Sequence, residues 1–141
     1  MHSQKQIYFA ASIRGGREDK ELYLQIIGIL SEYGIVLTGH IGDQTLSVWG
    51  EDGLSDLSIY ERDMAWLAQA YVMVAEITTP SLGLGYEIGK MENKKPIICL
   101  FRKQNGRRIS PMISGNQNIL IKEYKELSDI KEILEKFFGA M

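Results

Sequence analysis

Two carboxylates carry the most chemical promise in this chain. Glu87 follows Gly85-Tyr86 at the expected start of a helix, beside the hydroxyl- and glycine-rich run Thr78-Thr79-Pro80-Ser81-Leu82-Gly83-Leu84-Gly85. In a first helical turn the dipole favours the ionised form. An ionised carboxylate beside a sugar is what a glycosidase nucleophile requires. Acids also gather at helix N-termini for dipole complementarity alone. Asp63 stands three residues after Tyr60 and four before Leu67, on or beside the apolar face of another expected helix. There it needs a pocket, or a partner such as Arg62 or a backbone amide. Two pocket-facing carboxylates without metal ligands to share suggest acid/base or nucleophilic work on a glycosidic bond.

Anion-friendly loops accompany them. Ser12-Ile13-Arg14-Gly15-Gly16-Arg17 follows a β-rich run and precedes a helical one. Its glycines free backbone N–H groups to face an anion, the helix offers its positive end, and the arginines add charge. It is neither a dinucleotide fingerprint nor a Walker loop, and a turn with solvated arginines would look similar. Ser81 and Gly83 belong to a second such loop, which an ordinary strand-to-helix connection also resembles. Tyr8 and His40 are placed to reach the strand ends, although a strand tyrosine also suits a core and a loop histidine suits solvent. Cys99, inside an apolar run, reads as a small buried hydrophobe.

Composition narrows the field. The chain has 141 residues with 45% apolar content, enough for one domain spanning 1–141 and a real core. Lys plus Arg is 16 and Asp plus Glu is 18, a formal charge of −2, which argues against a dedicated nucleic-acid binder. A lone cysteine and two histidines allow no internal disulfide and do not suit a zinc site. The longest apolar run, Leu22 to Leu30, is interrupted by Gln25 and too short for a bilayer. The expectation is an intracellular protein with no metal, cofactor or membrane partner.

The elements that must position these residues alternate. Strands are expected at Gln6–Ser12, Ile35–Thr38, Tyr71–Thr78, Pro96–Phe101 and Asn118–Tyr124. Helical spacing covers Glu18–Tyr33, Asp56–Ala70 and Tyr86–Lys94, with a last helix capped by Ser128. Gly34 sits where a helix C′ glycine belongs. Leu57, Tyr60, Met64 and Leu67 share one face of the second helix. Alternation predicts a doubly wound, five-stranded parallel α/β sheet, a flavodoxin-like or Rossmann-like three-layer sandwich. Ligands then sit at the carboxyl ends of the strands, where strand order reverses.

Taken together, these residues resemble the nucleoside 2-deoxyribosyltransferase superfamily, and within it the branch that hydrolyses deoxynucleoside monophosphates. The likeness runs from about Ile7 to Tyr124. It is carried by Tyr8-Phe9, Ser12-Ile13-Arg14-Gly15-Gly16-Arg17-Glu18-Asp19, Val36-Leu37-Thr38 with His40, Glu61-Arg62-Asp63-Met64-Ala65-Trp66-Leu67, Pro80-Ser81-Leu82-Gly83-Leu84-Gly85-Tyr86-Glu87-Ile88-Gly89 and Cys99-Leu100-Phe101-Arg102. The resemblance implies Glu87 as the nucleophile attacking C1′, Asp63 as acid/base partner and Tyr8 as the group positioning nucleophile and sugar. It implies that Ser81, Gly83 and the Ile13-Arg14 turn hold the 5′-phosphate, that Ser12, Gly15 and Gly16 of the same loop help bind the substrate, and that His40 lies near the base. Ser110 matches a serine that reaches the phosphate from a neighbouring subunit, implying a homodimer.

Ala11 replaces a usual glycine, and residues 41–54 depart from the family where it covers the base. The substrate implied is a small-molecule nucleotide, the location cytoplasmic, or nuclear in a eukaryote. A deoxyribosyltransferase, a CMP-type ribonucleotide hydrolase and a non-catalytic nucleotide-binding module are the competing readings.

Overall fold

The computed structural model describes residues 5–12, 18–38, 54–104 and 106–141. Its elements run β1 (Lys5–Ala11), α1 (Glu18–Leu30), β2 (Gly34–Val36), α2 (Asp56–Gln69), β3 (Val72–Glu76), α3 (Leu82–Met91), β4 (Ile97–Arg102), α4 (Pro111–Ser114), β5 (Leu120–Tyr124) and α5 (Leu127–Gly139). The five strands form one sheet in the order β2-β1-β3-β4-β5, every pair parallel. This is the expected doubly wound α/β sandwich. Its strand order reverses between β1 and β3, which places a ligand crevice beyond their carboxyl ends.

Strand alternation divides the core into two layers. Ile7, Phe9, Val72, Val74, Ile98 and Leu100 pack with residues of α1 and α5 on one face. Tyr8, Ala10, Met73, Ala75, Ile97 and Cys99 face Leu67 of α2 and Leu84, Ile88 and Met91 of α3 on the other. Burial on both faces explains the nearly uninterrupted apolar character of β3 and β4. Cys99 is fully buried, as expected, and burial pushes its thiol up to about 12.

Several boundaries differ from the sequence reading, each for a local reason. Gly34 does not end α1. It opens β2, where a Cβ would meet the Lys5 carbonyl oxygen at 2.1 Å, so close approach to β1 demands glycine. β2 stops at Val36, two residues early, because the Thr38 side chain takes over the pairing. Its Oγ1 accepts from the Phe9 N–H at 2.9 Å and its hydroxyl donates to the Phe9 carbonyl. The last helix is capped by Glu126, not Ser128. Glu126 accepts from the Asp129 N–H, and the Asp129 carboxylate accepts from the Glu126 N–H at 2.9 Å. On α2, Leu67 is buried but Leu57 and Tyr60 are 66% and 48% exposed, so the expected apolar face is only partly covered. Among the described residues, no helix is long and apolar enough to cross a membrane.

Candidate active site

The most consequential difference lies in α3. The helix begins at Leu82, four residues before the expected Tyr86, and Ser81 is its N-cap. The Ser81 hydroxyl accepts from the Leu84 N–H at 3.4 Å, and its carbonyl accepts from Gly85 at 3.1 Å. Gly83 and Gly85, read as loop glycines, are therefore helical. Glycine is a poor helix former, but Leu84, Ile88 and Met91 recur at helical spacing and bury against the sheet. Tertiary packing decides the boundary.

Glu87 consequently sits in the second turn, beyond the strongest influence of the helix dipole. Its carboxyl is not pulled down as a first-turn acid would be. Burial, reinforced by the nearby Asp63 charge, pushes it up to about 7. The neighbouring Tyr8 hydroxyl opposes that rise. Tyr8 is 2% exposed on β1, and burial beside Glu87 and Asp63 holds its phenol far above the ordinary range, so it remains a donor. Strand β1 and helix α3 thus bring a phenol and a carboxylate together on the α2/α3 side of the sheet.

Helix α2 delivers the third group. Asp63 is partly buried, its side chain 23% exposed. It accepts from Arg62 Nε at 3.1 Å and Arg62 Nη2 at 3.0 Å on the same oxygen. The Arg62 guanidinium also lies over the Trp66 ring, 4.7 Å from its centroid. The Arg62 partner open in the sequence is therefore present, and Asp63 still stands close enough to influence both Tyr8 and Glu87. Arg62 itself is a participant that sequence reasoning noted only as a pairing option.

Ser81 and Ser110 meet elsewhere. Both line an open cleft of about 780 Å³, together with Leu82, Tyr86, Arg108 and Met112. Ser110 is exposed and caps the short helix α4 through Met112 N–H at 3.2 Å, a helix the sequence had hidden in a polar connection. Ser12 is buried at the end of β1, on the same face as Tyr8 by alternation. Ile13, Arg14, Gly15, Gly16 and His40 lie outside the described residues. The structure thus brings Tyr8, Asp63 and Glu87 into one cluster and Ser81 and Ser110 into one cleft.

Chemically, the cluster has a carboxylate, a phenolic hydroxyl beside it, and a second carboxylate held by a guanidinium. That set can attack an electrophilic carbon and move a proton on the other side of the reaction.

The sequence model of the nucleoside 2-deoxyribosyltransferase family matches residues 7–124. A 5-hydroxymethyl-dUMP N-hydrolase of Mus musculus is 48% identical over 139 residues, covering 95% of this chain and 80% of the mouse protein. A Nematostella vectensis protein, whose name places it provisionally among the 2′-deoxynucleoside 5′-phosphate N-hydrolases, is 47% identical over 144 residues. It covers 97% of this chain and 96% of its own. The solved structure of a CMP N-glycosidase from Clostridium botulinum superposes with a TM-score of 0.64 at 18% identity, over 94% of this chain and 99% of that one. At that identity the structural likeness speaks for the fold.

Proposed function

Because this chain belongs to the nucleoside 2-deoxyribosyltransferase family, we propose that it hydrolyses the N-glycosidic bond of 2′-deoxynucleoside 5′-monophosphates, releasing a free base and 2-deoxyribose 5-phosphate. The observation that carries the reading is the pairing of the Tyr8 phenol with the Glu87 carboxyl and Asp63 beside them, on the sheet face next to the β1/β3 crevice. The names of the relatives supply the reaction class, and two of them are N-hydrolases of deoxynucleoside monophosphates.

In this mechanism the ionised Glu87 attacks C1′ as the bond to the base breaks, forming a deoxyribosyl ester. Positive charge develops on the sugar in the transition state, and the adjacent carboxylates stabilise it. Tyr8 orients the Glu87 oxygens. Asp63, held by Arg62, assists departure of the base and then takes a proton from the water that cleaves the ester. Ser12, the Ile13–Gly16 turn, Ser81 and Gly83 bind the 5′-phosphate, and binding energy remote from the bond orients the sugar. His40 serves the base side. No cofactor enters the scheme.

The active protein is a homodimer in which Ser110 reaches the neighbouring site. Its support is the apolar surface beside the Ser81–Ser110 cleft. Leu82 is 96% and Met112 83% exposed there, continuous with the exposed Leu57 and Tyr60 on α2 through Tyr86, whose hydroxyl is 3.4 Å from that of Tyr60. Contiguous exposed apolar area of this kind marks an interface. The functional unit is one domain over residues 1–141, working in the cytoplasm or nucleus.

Chromatography after incubation with a panel of deoxynucleoside monophosphates, 5-substituted ones included, tests the reaction. Base release is expected. An added acceptor base yielding a new nucleoside would identify a transferase instead, and preference for CMP over dCMP a ribonucleotide hydrolase. Ligand-induced thermal stabilisation without turnover would identify a binding module.

A further inference from the structure

The stretch joining β3 to α3 is held from behind the sheet. Thr78 donates its N–H at 2.8 Å and its hydroxyl at 2.7 Å to the two oxygens of Glu76. The Thr78 hydroxyl oxygen accepts from the Arg102 N–H at 2.9 Å, and its carbonyl accepts from Arg107 Nη1 at 3.1 Å. The Thr79 hydroxyl donates to Asp19 Oδ2 at 3.4 Å, while Asp19 Oδ1 accepts from Arg102 Nη2 at 3.0 Å. Tyr124, at the end of β5, donates to Glu76. One network thus ties the first turn of α1 and the ends of β3, β4 and β5 to two consecutive threonines.

The network lies on the opposite face from Tyr8 and Glu87. Glu76 and Arg102 continue the alternation of Val74 and Leu100, which pack toward α1 and α5. Asp19 and Glu76 are 7% and 1% exposed. Tyr23, one turn beyond Asp19, adds a buried hydroxyl that completes no hydrogen bond among the described residues. A partly buried ion pair such as Asp19–Arg102 contributes little net stability relative to an apolar replacement, because desolvation offsets attraction. Its distinctive physical effect is directional: two charged groups with short hydrogen bonds fix the segments that carry them. The segment fixed here reaches Ser81 two residues later, and Ser81 caps the helix that carries Glu87.

We propose that Asp19 and Arg102 are positioning residues for the Ser81 end of α3, setting from across the sheet where the Ser81 hydroxyl meets the phosphate of the substrate. This deepens the assignment of Ser81 as a phosphate-binding group and rests on it. Neither residue touches substrate: Asp19 acts through the Thr79 hydroxyl, and the Arg102 side chain acts through Asp19, its main-chain N–H alone meeting Thr78.

The test compares Asp19→Asn, Arg102→Met and their double variant, which removes both members of the ion pair. Isosteric Thr79→Val removes only the threonine contact and serves if the others fail to fold by circular dichroism. The KM for a deoxynucleoside monophosphate and the calorimetric Kd for inorganic phosphate are expected to rise together, about 10- to 100-fold for the charged-pair variants and several-fold for Thr79→Val. At saturating substrate, kcat should stay within about threefold of wild type. Arg102→Lys, which keeps a charged donor, should recover part of the loss. Unchanged KM and phosphate affinity in a folded variant, or a loss confined to kcat, would overturn the proposal, as would a wild-type protein that binds no phosphate. A wild-type protein that binds phosphate but cleaves no deoxynucleotide would overturn the functional reading instead, and the phosphate Kd of the variants would still decide the positioning role.

Discussion

Tyr8, midway along β1, stands beside Glu87 in the second turn of α3, close enough for each group to shift the titration of the other. The pairing links a buried strand to the helix packed on it, and it works against its surroundings. Burial and the Asp63 charge favour a protonated Glu87, whereas the Tyr8 hydroxyl favours the ionised one. With the carboxyl raised to about 7, both forms are populated at neutral pH.

A nucleophile must be ionised, so kcat/KM should climb as pH rises through about 7 and level off above it. Tyr8→Phe removes the hydroxyl that favours the carboxylate. Its acidic limb should therefore move to higher pH, with a rate loss of roughly 10- to 100-fold near neutrality. A pH–rate profile reads both effects.

Asp63→Asn should move the same limb the other way. The Asp63 charge raises Glu87, so removing it lets Glu87 ionise at lower pH. The rate should still fall, by roughly 10²- to 10⁴-fold, because proton transfer is lost. Opposite pH shifts accompanying two rate losses are difficult to attribute to general damage.

Stability follows a related logic. Glu87 has an ordinary value of 4.5, raised in the folded protein to about 7, so folding favours its proton. The stability this contributes is present below about 4.5 and is lost as pH rises through about 7. Glu87→Gln should accordingly be more stable than wild type at pH 8, on the order of 3 kcal/mol, and nearly equal to it at pH 4.5. Urea denaturation at the two values measures the difference.

The end of α2 supplies a stability prediction remote from the cluster. The Lys95 ammonium donates to the carbonyls of Leu67, Ala68 and Ala70, covering groups the helix itself leaves unpaired. Lys95→Met should destabilise the fold by about 1–3 kcal/mol while leaving kcat unchanged, as thermal unfolding and an activity assay together would register.

Sedimentation should find a dimer, and Leu82→Asp should shift it toward monomer. If Ser110 serves the neighbouring site, activity should fall with the dimer. A monomeric wild type would remove the shared-site proposal.

Much of this arrangement was legible in the sequence because buried parallel strands are short apolar runs and intervening helices keep their period. That Tyr8, Asp63 and Glu87 stand near one another was legible as well, through the family resemblance and the apolar-face argument. What the sequence concealed was decided by contacts between distant segments. The α3 start was obscured by Gly83 and Gly85, whose low propensity is outweighed by the buried Leu84–Ile88–Met91 stripe. That boundary carries over to the electrostatics of Glu87: an acid expected in the first turn sits half-buried in the second. Gly34 looks like a helix terminator locally and is a close-approach residue against β1. The apolar pattern of Leu57 and Tyr60 predicted burial that this chain alone does not provide. The Asp19–Arg102 pair joins residues 83 apart in sequence, a separation at which no local pattern operates.

The most direct test is base release from a deoxynucleoside monophosphate by wild type and Glu87→Gln, followed by chromatography at pH 8 with both proteins shown to be folded. The account predicts rapid release by wild type and a loss of about a thousandfold or more in the variant, as expected for removal of a nucleophile. A wild type that releases no base from any deoxynucleotide tried, or a Glu87→Gln variant that keeps the wild-type rate, would contradict it.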